Sequence, residues 1–240
     1  MKKIVWILLS MLITLWATET KLHEDKRIVS HVVDTQKSTL KFYLKDDNGS
    51  IFKTFGNLNS YLKERNQELL FAMNGGMYME NSMPLGLYVE NGKVIRKTNR
   101  VKKAYGNFYM QPNGVFFITE KGNAYIKPTT KFHFKKYVKF ATQSGPMLLI
   151  NGKFHPKFRK GSKNVHIRNG VGVLPSGKLL FAISTELINF YDFAEYFKKN
   201  GCKNALYFDG FVSKMYLPPK HDYFGYSSFG VMIAETKNKK

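Results

Sequence analysis

Four tight-turn signals divide the middle of this chain into short, evenly spaced segments. They are Asn91-Gly92, Lys121-Gly122-Asn123, Asn151-Gly152 and Ser176-Gly177. Each supplies a glycine where a reversing backbone needs positive φ, and each lies beside a short run rich in β-branched and aromatic residues. The runs are 87–89 with 94–95, 115–119 with 124–126, 147–150, and 171–174 with 178–184. Residues 27–34 and 39–44 read as further strands, and 69–73 as an apolar one. Repeated hairpins leave little room for helices. The chain is expected to fold as α+β, a single domain dominated by mixed or antiparallel β-sheet with a few flanking helices.

Two helices are expected. A short one covers 57–66, and a stronger one covers 190–200. In the second, Asn189 is placed to cap, Asp192 sits at the N3 position, and Gly201 supplies the C′ residue. Phe190, Phe193, Ala194 and Phe197 repeat at helical spacing on one face. The apolar strand Ala205–Phe208 follows at once. No repeat and no Pro/Ser-rich linker divides the chain, so residues 21–236 are taken as one domain, and the basic tail 237–240 is expected to fray.

Charge enters the argument at the N-terminus. Lys2-Lys3 precede about 14 mostly apolar residues from Ile4 to Ala17. That run is short for a membrane span and has the form of a secretory signal. Residues 1–20 are expected to be a signal peptide, or an anchor in the inner membrane if they stay uncleaved, because Leu15 is bulky where a cleavage site wants a small residue. No cysteine follows the run, which excludes a lipoprotein. The protein is therefore expected to be exported, periplasmic or secreted, and to touch the membrane only through this segment if it is retained.

Export changes the meaning of the net charge of +21 from 38 Lys+Arg against 17 Asp+Glu. Only six of those cations are arginines, whereas nucleic-acid readers favour Arg for its planar fork. No nucleic-acid partner is expected; an anionic glycan or sugar-phosphate is. The lone Cys202 makes no internal bridge, so stability must come from the core. The six histidines are dispersed, no His-Glu-x-x-His pattern exists, and no Gly-x-Ser-x-Gly elbow surrounds Ser144.

What polar chemistry remains gathers at strand ends. Three segments share one form, an apolar strand followed by a sharp turn of small or amide residues. They are Phe71–Tyr78 with Asn74-Gly75-Gly76, Phe140–Pro146 with Gln143-Ser144-Gly145, and Phe208-Asp209-Gly210. A fourth, Ile167–Gly172, sets Arg168-Asn169 immediately before a strand. Glycine N–H groups can form an anion nest, amides can bind sugar hydroxyls, and Arg can grip phosphate. Four such segments suggest one site lined from the ends of strands.

Asn74-Gly75-Gly76-Met77-Tyr78, Pro84-x-Gly86, Gln143-Ser144-Gly145-Pro146-Met147-Leu148, Arg168-Asn169-Gly170-Val171-Gly172 and Asp209-Gly210 occur in an order that resembles the phosphodiester glycosidase family, in its bacterial branch. The likeness covers roughly residues 65–235. It implies hydrolysis at a sugar-1-phosphodiester on an envelope glycan or related substrate, with release of the sugar. Asp209, Arg168 and Asn74 are the expected catalytic residues. Gly75, Gly76, Gln143, Ser144, Gly145, Asn169 and Gly210 are expected to bind substrate. Glu80 and Asp192 are further acidic candidates, although the capping role of Asp192 explains it without catalysis. No metal ligands are assigned and no cofactor is required, but a divalent cation held by Asp209 and Glu80 stays open. One departure stands out: the family's second glycine after the aspartate is Phe211 here, which places a ring where backbone and substrate are expected to meet. A glycan-binding protein of the same fold, weakly active or inactive, is the alternative.

Overall fold

The computed structural model describes residues 21–221 and 228–239. The expected leader at 1–20 lies outside them. Three main sheets and two helices, α1 (Phe55–Lys63) and α2 (Phe190–Lys199), make up the fold, and every strand pairing among the described residues is antiparallel.

A six-stranded sheet runs in the order Ile28–Val33, Leu179–Ser184, Asn169–Val173, Ala205–Tyr207, Met147–Ile150 and Lys153–Phe154. A four-stranded sheet orders Met215–Tyr216, Gln67–Asn74, Met232–Asn238 and Thr39–Tyr43. A five-stranded sheet orders Lys93–Arg96, Tyr88–Glu90, Val138–Ser144, Gly114–Thr119 and Ala124–Pro128.

The three sheets face one aromatic core. Phe71 from the four-stranded sheet lies 4.9 Å, ring to ring, from Phe181 of the six-stranded sheet. Phe42 lies 5.5 Å from Phe116 of the five-stranded sheet, and Phe116 in turn 6.3 Å from Phe208. The helices cover outer faces. In the strand Leu179–Ser184, Leu179, Phe181 and Ile183 enter the shared core, while Leu180 and Ala182 pack with Phe193, Ala194 and Phe197 of α2. Period-two alternation between two apolar surroundings makes this strand apolar throughout.

The turn glycines behave as expected, with φ of +78° at Gly92, +77° at Gly122, +78° at Gly152 and +82° at Gly177. Helix α2 is capped by Asn189, whose side chain accepts from the Asp192 N–H at 2.9 Å. Helix α1 begins earlier than expected because Thr54, not a later residue, caps it by accepting from the Asn57 N–H at 3.1 Å. The tail also differs from expectation. Lys237 and Asn238 pair with Glu68 and Gln67, so the last strand runs into it. Between the sheets, His31 Nε2 lies 2.6 Å from Glu235 Oε2, with the imidazole against Phe71. Burial acts to raise the Glu235 pKa, but hydrogen bonds from His31 and Ser38 outweigh it and hold the carboxyl below its ordinary range.

Candidate functional site

Strand ends from all three sheets meet at one place. Asn74 ends its strand in the four-stranded sheet, and Ser144 ends its strand in the five-stranded sheet. Asn169 opens one strand of the six-stranded sheet, and Asp209 follows the neighbouring strand by two residues. The last two are brought level by the pairing of Gly170 with Tyr207.

Asn169 ties the cluster together. Its Nδ2 donates to the Asn74 carbonyl at 3.0 Å and to Asn74 Oδ1 at 2.8 Å. Its Oδ1 accepts from the Asp209 N–H at 3.0 Å and from Ser213 Oγ at 3.2 Å. The single Ser213 hydroxyl proton is shared with the Asp209 carbonyl, which is its closer acceptor. Asn74 Oδ1 accepts a second bond, from the Lys214 N–H at 2.9 Å. Two donors on that oxygen fix the amide's orientation. Asn74 Nδ2 is thereby left buried with no protein partner. Such a donor is costly unless a ligand or water accepts from it.

Asp209 is only 6% exposed. Burial raises its pKa, and the backbone N–H groups of Phe211, Val212 and Gly210 partly offset that rise. The Phe211 N–H reaches Oδ1 at 2.9 Å. Burial, and then the charge of Asp209, raise Tyr78, whose hydroxyl donates to the Ser228 carbonyl.

Arg168 is wholly buried, stacked 3.5 Å above the Phe190 ring. Its Nε donates to the Ile188 carbonyl at 2.8 Å, and Nη2 donates to both the carbonyl and Oδ1 of Asn164 at 2.8 Å. Nη1 reaches the Tyr207 hydroxyl at 3.4 Å, a long contact. Of five N–H donors, one on Nη1 remains. Burial lowers the Arg168 pKa and Tyr207 opposes the shift, while burial raises Tyr207. Gly210, next in sequence to Asp209, comes close to this guanidinium. A Cβ there would overlap the Tyr207 hydroxyl and stand 3.7 Å from Arg168 Nη1.

Other expected site residues are spent on the scaffold. Gln143 Oε1 accepts from the N–H groups of Leu87 at 3.0 Å and Asn99 at 2.9 Å. Its Nε2 donates to the Asn99 carbonyl at 2.7 Å and to Thr129 Oγ1 at 3.3 Å. Ser144 Oγ donates to the Phe208 carbonyl at 2.7 Å, and the Gly75 N–H donates to the Val231 carbonyl at 2.8 Å. Gly76 packs against Thr142, and Gly145 against Asn113 and the Phe108 carbonyl. Glu80 is exposed. Asp192 is held in its capping pair, with Asn189 Nδ2 on its carboxylate at 3.1 Å. Among the described residues no group of three or more His, Cys, Asp and Glu side chains could hold a metal ion.

Sequence reasoning missed Tyr207 and Asn164, which hold Arg168, and the role of Ser213. A serine four residues after a strand-end aspartate was the available signal for Ser213. Phe211 does not fill the site; its side chain is 97% exposed. Cavities of about 370 Å³, beside Gln36 and Lys121, and about 570 Å³, beside Asn59 and Tyr216, lie away from the cluster and contain none of its residues.

The phosphodiester glycosidase family matches residues 67–228. Uncharacterized protein YigE of Escherichia coli (strain K12) is 37% identical over 193 residues, 79% of this chain and 74% of that protein. The catalytic domain of zebrafish N-acetylglucosamine-1-phosphodiester alpha-N-acetylglucosaminidase, auto-inhibited by its pro-peptide, superposes with a TM-score of 0.60 at 15% identity, over 88% of this chain and 83% of that one. A hypothetical protein from Synechocystis gives a TM-score of 0.52 at 11% identity, over 87% of this chain and 59% of that one. The family match spans more than half the chain and takes in Asn74, Asn169 and Asp209, the three residues that join the sheets at the site: this chain belongs to the phosphodiester glycosidase family.

Proposed function

We propose that the protein is an exported hydrolase that breaks the bond between a sugar's anomeric carbon and a phosphodiester on an envelope glycan or a related anionic substrate. The observation that carries this reading is a buried carboxylate, Asp209, whose next residue, Gly210, comes close to the buried Arg168 guanidinium.

The chemistry needs few groups. Breaking the bond from C1 to the bridging oxygen releases a phosphomonoester, whose second pKa is about 6. So good a leaving group departs without a proton from the enzyme, and one carboxylate suffices where an ordinary glycosidase needs two. Asp209, its pKa raised by burial, takes a proton from the water that attacks C1. Asn74 Nδ2 and the remaining Nη1 proton of Arg168 are the donors left for phosphate or sugar oxygens. Asn169, Ser213 and Tyr207 position these groups.

Export rests on the basic and apolar pattern of residues 2–17. Binding without turnover is the competing reading, favoured by the near-saturation of Arg168. Protein beginning at residue 21, incubated with N-acetyl-α-glucosaminyl methyl phosphodiester, is expected to release free sugar and methyl phosphate. Asp209→Asn should abolish that release. Binding of the diester with no release, at any pH between 5 and 8, would favour the competing reading.

A further inference from the structure

The three most exposed large apolar side chains among the described residues are Tyr105, Phe211 and Leu187, at 101%, 97% and 65%. Each lies within two residues of a group bonded into the candidate site. Phe211 follows Asp209 and donates its N–H to that carboxylate. Tyr105 precedes Asn107, whose side chain hydrogen-bonds Tyr207. Leu187 precedes Ile188, whose carbonyl holds Arg168 Nε.

Phe211 is not exposed through slack. On one side its backbone is fixed to Asp209; on the other, Val212 packs against the cluster containing Phe55 and Phe229, and Ser213 is buried. Anchored neighbours keep the Phe211 ring beside the Asp209 turn, where its apolar face is open to a ligand. The deep groups of the site are all polar or charged and suit the sugar and phosphate. Phe211, its N–H on the Asp209 carboxylate and its ring exposed, offers an apolar surface to whatever extends outward beyond the phosphate.

We infer that Phe211 is a specificity-determining residue whose ring stacks on a ring-bearing aglycone, the half of the substrate that leaves as the phosphomonoester. This rests on the reading of the site as a phosphodiester hydrolase. The shared chemistry of such an aglycone is a flat, partly apolar ring face, as in a second sugar or a nucleobase.

The test uses two N-acetyl-α-glucosaminyl phosphodiesters that differ only in a methyl or a benzyl aglycone. Wild-type protein from residue 21 should show a KM for the benzyl diester about three- to tenfold below that for the methyl diester. In F211A the ratio should fall to about one, and in F211W it should persist. Calorimetric Kd values for both diesters provide the same ratio without turnover. Preferential binding of the benzyl diester, lost in F211A, with hydrolysis of neither overturns the hydrolase reading and keeps the ring contact. Hydrolysis with a ratio of one in the wild type, or an unchanged ratio in F211A, overturns the ring contact and keeps the hydrolase. Wild-type binding to phosphatidylglycerol vesicles that is lost in F211A, beside an unchanged diester ratio, overturns the ring contact with the aglycone and assigns the Phe211 ring to a lipid surface.

Discussion

The turn at Gln143-Ser144-Gly145 and the turn at Asp209-Gly210-Phe211 are written in the same style, an apolar strand followed by polar and small residues. Their fates differ. Every hydrogen-bonding atom of the Gln143 amide is engaged, with Leu87, Asn99 and Thr129, and Ser144 is bonded to Phe208. Asp209 instead keeps a buried carboxylate whose identified donors are backbone N–H groups of its own turn. One turn fastens the loop around Asn99 to the five-stranded sheet; the other presents charge. Burial and polarity are common to both. Reactivity belongs to the group whose bonding capacity is left over.

The largest expected effect breaks the second turn alone. Asp209→Asn keeps the acceptor for the Phe211 N–H and removes the base, so kcat should fall by about 10³-fold or more. Its stability should not fall. A raised carboxyl pKa means that the fold disfavours the ionised form, so this group's contribution to stability declines as pH rises from 3.8 to its folded value. Asparagine removes that cost, and the melting temperature at pH 7 should match or exceed the wild type's. A clear loss of melting temperature would return Asp209 to a structural role. For the same reason the acid limb of kcat should lie above the usual range for an exposed aspartate.

Gln143→Ala tests the first turn and should act in the opposite sense. It strands the N–H groups of Leu87 and Asn99 and opens a small cavity, at a cost of about 2–4 kcal/mol. Urea unfolding measures this. A large fall in kcat with unchanged stability would move Gln143 from scaffold to site.

The smallest effect comes from a part-buried polar pair that belongs to neither turn. Glu235→Gln should cost about 1–2 kcal/mol at pH 7 through its bond to His31. The Glu235 carboxyl is depressed below 4.5, so its stabilisation is present above the unfolded value and disappears as pH falls through the folded one. Variant and wild type should converge in stability there. Turnover of a bound diester should not register the change.

Much of this was legible in the chain. Hairpin glycines, the Asn189 cap and the phenylalanine face of α2 are local signals, because φ, capping and periodicity are decided by neighbours in sequence. The ordered motifs at 74–78, 143–148, 168–172 and 209–210 placed the chain in its family. Local signals cannot say which buried polar atom finds a partner, since the partners are far away. Asn99 lies 44 residues from Gln143, and Asn74 lies 95 from Asn169. Only the packing of three sheets decided that Gln143 is saturated, that one Arg168 donor survives, and that Asn74 Nδ2 is unmatched. Packing also turned Phe211 outward, where the substituted glycine alone suggested a ring within the site. The sequence by itself determined which elements form and which residues reach the strand ends. The tertiary structure decided which of those residues still have a hydrogen bond or a charge to offer, because satisfaction of buried polar groups is settled between segments, not within them.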